Sequence, residues 1–216
     1  MEIIWHGQSC FTVKGRNATV VTDPYGDIGL RLPKLKGSIV TISHDHIDHN
    51  NVAGVEGDPK VFDWPGEFES GGVLMSAVEA PHYGEGADDE AKKRGKTLMF
   101  HFEVDGIKIC HVGDLGQKLT DEMIEKLGDV DILMVPVGGN FTIDHKVAHS
   151  VIEQIEPRVV IPMHYKIDGL TVDIGELEPF LKEVGMHEPA EDKLVFKNRG
   201  ALPTDAMKTV VLNRQG

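Results

Sequence analysis

Gly37-Ser38-Ile39-Val40-Thr41-Ile42-Ser43-His44-Asp45-His46-Ile47-Asp48-His49-Asn50 is the stretch on which the reading of this chain turns. Its first half is β-branched and apolar, the composition of a buried strand. Its second half crowds histidine and aspartate onto the loop that leaves the strand. If the backbone stays extended there, alternation puts His44 and His46 on one side. A turn after Ile47 then swings Asp48 and His49 round to a second point. Two pairs of ligands aimed at two neighbouring positions suit a dinuclear metal centre. Imidazoles with a few carboxylates favour zinc, and then iron or manganese, over calcium or magnesium.

Outward from this stretch, composition narrows the function classes. The chain has 216 residues, which fits one domain over 1–216 with a substantial core. No apolar run reaches the roughly twenty residues that a membrane helix needs. Met1-Glu2-Ile3-Ile4-Trp5-His6 lacks the basic and then apolar pattern of a secretory signal. Cys10 and Cys110 both lie in strand-like segments, as expected for two buried thiols of a cytoplasmic protein. Lys and Arg number 22 against 35 Asp and Glu, a formal charge of −13 that argues against nucleic acid as partner. A small-molecule substrate is expected, with no membrane association, and self-association stays open.

The N-terminal half reads as strands: Glu2–Trp5, Cys10–Val13, Ala18–Val21, Lys60–Asp63, Gly66–Glu69 and Val73–Glu79. A short helix is expected near residues 50–54. Gly84–Gly95 is polar and without apolar period, so a loop is expected, and its length suits a flap. It ends in the basic run Lys92-Lys93-Arg94. Leu98–Val104 and Ile107–Val112 flank Asp105-Gly106 as a hairpin. The second half then alternates strands and helices. Helix Asp121–Leu127, strand Val130–Val137, a helix capped by Asp144, strand Arg158–Ile161 and an amphipathic helix over Asp173–Val184 follow in order. Short strand-like pieces, Lys193–Phe196 and Lys208–Leu212, come last. His145 and His149 form His-x-x-x-His without the glutamate of a zincin, and read as structural or solvated residues.

His44-Asp45-His46-Ile47-Asp48-His49 after a strand resembles the signature of the metallo-β-lactamase superfamily. Later residues match that superfamily in order along nearly the whole chain. The resemblance implies an α/β fold, a four-layer αββα sandwich. It implies that His82 completes one metal set with His44 and His46. It implies that His164 joins Asp48 and His49 at the second, with Asp114 of Gly113-Asp114 bridging the two. Asp48 would also be catalytic, as the group that takes a proton. Asp23 in Asp23-Pro24 is either a support behind the metal loop or a plain turn residue. His6, in the first turn, Asn140, after the strand ending at Val137, and Arg94 are candidates for touching substrate. His111 reads as a strand or supporting residue.

His46 stands where the diiron flavoproteins carry glutamate, which favours hydrolysis over redox chemistry. Within the superfamily, Pro162-Met163-His164-Tyr165 and Gly113-Asp114-Leu115-Gly116 resemble small cytoplasmic members near the ascorbate-6-phosphate lactonases. Leu115 departs from the threonine of several related branches. The function implied is hydrolysis of an ester, lactone or phosphodiester in an anionic small molecule by two divalent metal ions, zinc first, then manganese or iron. An RNA- or DNA-processing nuclease and a non-catalytic metal-binding protein are the alternatives. The acidic charge, and a length with no room for the extra nuclease domain, oppose the first. Ligands that leave positions for water oppose the second.

Overall fold

Strands begin at the first residues, because Glu2–Lys14 alternates buried and more exposed side chains around a tight turn. The structure, a computed structural model, describes residues 1–216. Its strands are β1 (Glu2–Gly7), β2 (Cys10–Lys14), β3 (Thr19–Thr22), β4 (Leu35–Lys36), β5 (Ile39–Thr41), β6 (Val55–Glu56), β7 (Lys60–Phe62), β8 (Gly66–Ser70), β9 (Val73–Pro81), β10 (Lys96–Val104), β11 (Ile107–His111), β12 (Ile132–Pro136), β13 (Val159–Met163), β14 (Leu194–Val195) and β15 (Lys208–Thr209). The helices are α1 (Asp89–Lys92), α2 (Asp121–Leu127), α3 (His145–Ile155) and α4 (Glu178–Glu183).

One sheet has the order β14-β1-β2-β3-β5-β7 and the other β15-β13-β12-β11-β10-β9-β8, with β4 and β6 as a separate short pair. Both large sheets are mixed. The first runs antiparallel through β1, β2 and β3, then parallel through β5 and β7. The second runs antiparallel from β8 to β11, then parallel through β12, β13 and β15. This mixed α/β architecture is the metallo-β-lactamase fold that the sequence resembles.

Alternation divides the apolar residues of the first sheet. Phe11, Val13, Val20 and Ile39 join the main core, which also takes Phe100, Phe102, Ile109 and Leu133 of the second sheet. Cys10, Val21 and Val40 point the other way, into a smaller cluster closed by Tyr25, Ile28, Leu30, Leu35, Leu170 and Ile174. That outer face is covered by irregular chain, the short β4–β6 pair and one 3-10 turn, Val52–Gly54, where a short helix is expected. α2 packs against β9, and α3 against β12 and α4. Ala148, Val151 and Ile152 are the buried face of α3, whose cap Asp144 accepts from the Lys146 and Val147 amides.

Two expectations need correction. The amphipathic segment 173–184 is helical only from Glu178. Pro179 favours a helix start there, and Gly175 is committed elsewhere, donating to the Gly138 carbonyl (2.7 Å) and accepting from the Lys166 amide (2.8 Å). The 84–95 loop contains one turn of helix, α1. Asp88 caps it by accepting from the Ala91 amide, with Asp89 and Glu90 in the first turn and Lys92 in the last.

The strands β5, β9, β11 and β13 each end in a loop that carries site residues, and these loops are hydrogen-bonded to one another and to neighbouring strands. Leu98 donates to the Ser43 carbonyl (2.8 Å), Gly116 to that of Pro81 (2.9 Å), His164 to that of Gln8 (3.1 Å) and Gly138 to that of His164 (3.1 Å). Gly116 makes one of these approaches possible, since a Cβ there would lie 2.2 Å from the Tyr83 nitrogen. Gly116→Ala should therefore force the loops after β9 and β11 apart and destabilise the protein by ~1–3 kcal/mol, the cost of overpacking. A urea melt with an unchanged midpoint would contradict this.

Candidate metal centre

The ligand-rich loop starts where β5 gives out, and its conformation is set from beneath by Asp23. This aspartate is fully buried and holds a left-handed backbone, φ 40°. Its Oδ1 accepts from the Ser43 amide at 2.7 Å. Its Oδ2 accepts from Ser43 Oγ at 2.6 Å and from His49 Nδ1 at 2.9 Å. Because Ser43 Oγ donates to Asp23, it accepts from His44 Nδ1 at 2.9 Å. One carboxylate thus fixes the tautomer of His49 directly and of His44 through a hydroxyl, and leaves both Nε2 atoms facing inward. Burial alone would raise the Asp23 pKa, but the hydrogen bond and charge of His49 hold it below the usual carboxylate range.

The remaining histidines and Asp114 come from the other strand ends. His82 follows β9, and its Nδ1 donates to the Asp114 carbonyl at 2.9 Å, so its Nε2 also faces the cluster. Asp114 follows Gly113, whose φ is +53° and whose absent Cβ would lie 2.4 Å from Thr97 Oγ1. The Asp114 amide donates to that same hydroxyl at 3.1 Å. His164 follows β13 with φ 52°.

These side chains form two groups, His44 with His46 and His82, and Asp48 with His49, Asp114 and His164. Within each, one ligand atom per residue lies within 4.8 Å of the others. Asp114 sits between the groups. Its Oδ2 is 3.8 Å from His44 Nε2, 3.7 Å from His82 Nε2 and 3.3 Å from His164 Nε2, while its Oδ1 is 3.4 Å from His49 Nε2. Asp48 Oδ2 lies 3.3 Å from His49 Nε2 and 4.0 Å from His164 Nε2.

This donor set fits a metal. His44 Nε2, His49 Nε2 and Asp114 Oδ1 are buried without a hydrogen-bond partner, an expensive arrangement unless a cation accepts their lone pairs. His164 faces the cluster through Nε2, and its Nδ1 is buried without a partner. Burial, with the charge of His49, pushes the His44 pKa down to about 3. Burial pushes His82 down to about 4, so both rings are neutral donors at pH 7. Burial also opposes charge on His49, yet Asp114, Asp48 and Asp23 around it drive its pKa well up. The three carboxylates thus favour positive charge at this point, which a metal ion held by His49 Nε2 would supply. Asp48 and Asp114 are held ionised against burial, Asp48 chiefly by His49 and Asp114 by His164 and His49.

Gln8 is a site residue that the sequence reading missed. It is fully buried, with φ 51°, and its Nε2 donates to Asp48 Oδ2 at 2.9 Å. A neutral amide in a turn carries no metal-binding signal, and only the fold brings it beneath the loop. His6, expected at the mouth, is instead buried in the structural framework. Its Nδ1 meets the Gln215 carbonyl at 2.9 Å and its Nε2 meets Thr12 Oγ1 at 2.8 Å, which leaves nothing for substrate. His111 supports the site from within the core. Its Nδ1 accepts from the Gly113 amide (3.2 Å) and its Nε2 donates to the Ser9 carbonyl (2.9 Å). Asn140 commits its side chain to the Asp173 carbonyl at 2.7 Å, so only its backbone faces Arg94. His145 and His149 lie on α3, in neither ligand group.

A cleft of about 430 Å³ opens on the cluster, lined by His46, Asp48, His82, Asp114 and Arg94, with Asp27, Thr171 and four apolar side chains. Arg94 Nη1 donates to the Asn140 carbonyl at 3.3 Å, and the guanidinium carbon lies 5.2 Å from the centre of the Phe141 ring. The neighbouring lysines turn to acidic partners: Lys92 to Asp89, Lys93 to Glu90, and Lys96 to Glu79. No helix is long and apolar enough to cross a membrane.

Comparison with known proteins gives the family. The family model described as Beta-lactamase superfamily domain matches residues 2–164. A crystal structure from Thermotoga maritima, of a candidate Zn-dependent hydrolase of the metallo-β-lactamase superfamily, is 35% identical with a TM-score of 0.79. The match covers 98% of this chain and 97% of that one. A UPF0173 metal-dependent hydrolase of Thermoplasma acidophilum is 27% identical over 205 residues, covering 83% of this chain and 88% of its own length. One from Carboxydothermus hydrogenoformans is 25% identical over 213 residues, covering 86% and 94%.

Two outcomes test the geometry. Asp23→Asn places an amide where His49 needs an acceptor, which favours the wrong imidazole tautomer. It should weaken metal affinity by ~10–100-fold in a chelator competition while the circular dichroism spectrum is kept. Alanine at His145 or His149 should leave the metal content of the protein unchanged. Loss of metal in either variant would place α3 in the site.

Proposed function

The chain belongs to the metallo-β-lactamase superfamily, and from that premise we propose that it is a hydrolase working with two divalent ions, zinc ahead of manganese or iron. The observation that carries the reading is the position of Asp114, whose two oxygens face donors of both histidine groups. In this reading His44, His46 and His82 hold one ion, and Asp48, His49 and His164 hold the other. Asp114 reaches both.

When bound, such a pair supplies Lewis acidity and a water acidified toward neutral pH. The rest falls to the chain. Asp48 lines the cleft, is kept ionised by its imidazole neighbours, and has Oδ2 steadied by the Gln8 amide. It is therefore placed to take a proton from the attacking water. Arg94 is the cation of the cleft wall that no carboxylate neutralises. Stacking on Phe141 and the bond to the Asn140 carbonyl hold its position while further N–H donors stay available. An anionic ester, lactone or phosphodiester matches this wall, and a phosphorylated lactone of the kind suggested by the lactonase resemblance is one such molecule. The cleft volume falls within the usual small-molecule range, and the −13 charge opposes a nucleic acid.

Metal analysis of protein loaded with excess zinc and desalted should give two equivalents per chain. His82→Ala and His164→Ala should each lose about one, because each removes one protein ligand of a site. A panel of lactones, phosphodiesters and thioesters should contain a turned-over member. On an anionic one, Arg94→Ala should lower kcat/KM by the equivalent of ~2 kcal/mol without loss of metal, the scale of a charged hydrogen bond. A single tightly held equivalent, or no turnover anywhere in the panel, would refute the reading.

A further inference from the structure

The cleft wall has an apolar half that metal binding does not explain. Ile28, Ile47, Phe141 and Val172 line the same space as His46, Asp48, His82 and Asp114. Ile47 stands within the ligand loop itself, yet its side chain is 63% exposed, and Phe141 is 38% exposed. Few large apolar side chains of this protein are left in water, and two of them flank one cleft.

They are held in place. The Ile47 carbonyl accepts from the Gly26 amide at 2.8 Å, and a Cβ at Gly26 would lie 3.0 Å from Ile47. Ile28 is buried, and its carbonyl accepts from the Thr171 amide at 2.9 Å, which ties the segment carrying Val172 to it. The Phe141 amide donates to the Gly139 carbonyl at 2.7 Å. A polar loop at this position would cost nothing in water. A pinned apolar surface beside a polar centre is what a ligand with an apolar portion would cover.

We infer that the substrate is an amphiphilic anion, a molecule with a carboxylate or phosphate and an apolar body of several carbons. The charged group meets Arg94. The apolar body lies against Ile47, Phe141 and Val172, with Ile28 behind them. Asp27, exposed on the same cleft and accepting from the Gly29 amide (3.4 Å), repels the anion from its side and so favours the Arg94 end. The inference rests on the hydrolytic reading of this cleft and deepens it by naming the substrate class.

Linear alkylphosphonates from methyl to hexyl, titrated calorimetrically into the zinc-loaded protein, test it without turnover. Kd should fall by ~2–4-fold for each added methylene until the wall is covered, the scale of apolar burial. Ile47→Ser and Phe141→Ser should each flatten that dependence while metal content stays at the wild-type value. Arg94→Met should weaken every member of the series by ~10-fold or more, and Arg94→Lys should recover part of the loss. A Kd independent of chain length, no measurable binding, or a slope unchanged in both serine variants would overturn the inference. Failure of the hydrolytic reading is read separately, as absence of turnover in the ester, lactone and phosphodiester panel.

Discussion

Everything at the centre depends on one buried carboxylate being fully satisfied. Asp23 takes three hydrogen bonds, from the Ser43 amide, the Ser43 hydroxyl and His49 Nδ1. An ionised group in the interior survives only with such partners. In return it closes the turn from β5 into the ligand loop and sets the tautomers of His44 and His49, one in each histidine group. The left-handed backbone of Asp23 is part of this arrangement, with its amide donating to the Thr41 carbonyl at 2.9 Å. Strain of this kind persists where surrounding contacts over-determine it.

The same logic recurs at the ends of β9 and β11. His82 is oriented by the Asp114 carbonyl, Asp114 by the Thr97 hydroxyl, and the Gly113 amide by His111. His111 in turn reaches the Ser9 carbonyl, next to Gln8, whose amide holds Asp48. The partners of the candidate ligands are thus bonded to one another across the two sheets. Loops usually carry more freedom than this, and their cross-linking is what makes a preorganised centre possible on irregular chain.

How much of this could be read in the sequence follows from the range of each signal. The strand before Ser43 and the clustered histidines are local, and they were legible from residue types alone. His82, Asp114 and His164 are single polar residues after strands, and only the superfamily resemblance makes them readable as ligands. Asp23-Pro24 fits both a support and a turn residue, and the structure makes Asp23 both. Gln8 gave no sign, because an amide becomes a ligand's partner only when distant loops meet. His6 misleads because the superfamily resemblance places its turn at the mouth of the site, while a register shift between Trp5 and Gly7 leaves its ring buried against Thr12 and Gln215. Residues 173–177 carry helical spacing, but a tertiary bond from Gly175 to Gly138 outweighs local preference. The single turn of α1 is too short to leave any periodicity.

The outer face of the first sheet is closed mostly by irregular chain and the short β4–β6 pair, where the other sheet has helices packed against it. Ile28 and Val172, two of the apolar side chains that line the cleft, belong to that covering, whereas the metal-facing residues follow strand ends. The two parts answer to different constraints. A strand end must keep its register to within a fraction of an ångström, but a covering loop tolerates insertions, deletions and exchanged residues at small cost to the sheets. The consequence is evolutionary: a covering residue such as Val172, half-buried on the cleft, can be exchanged while the strand ends that carry the ligand residues keep their places.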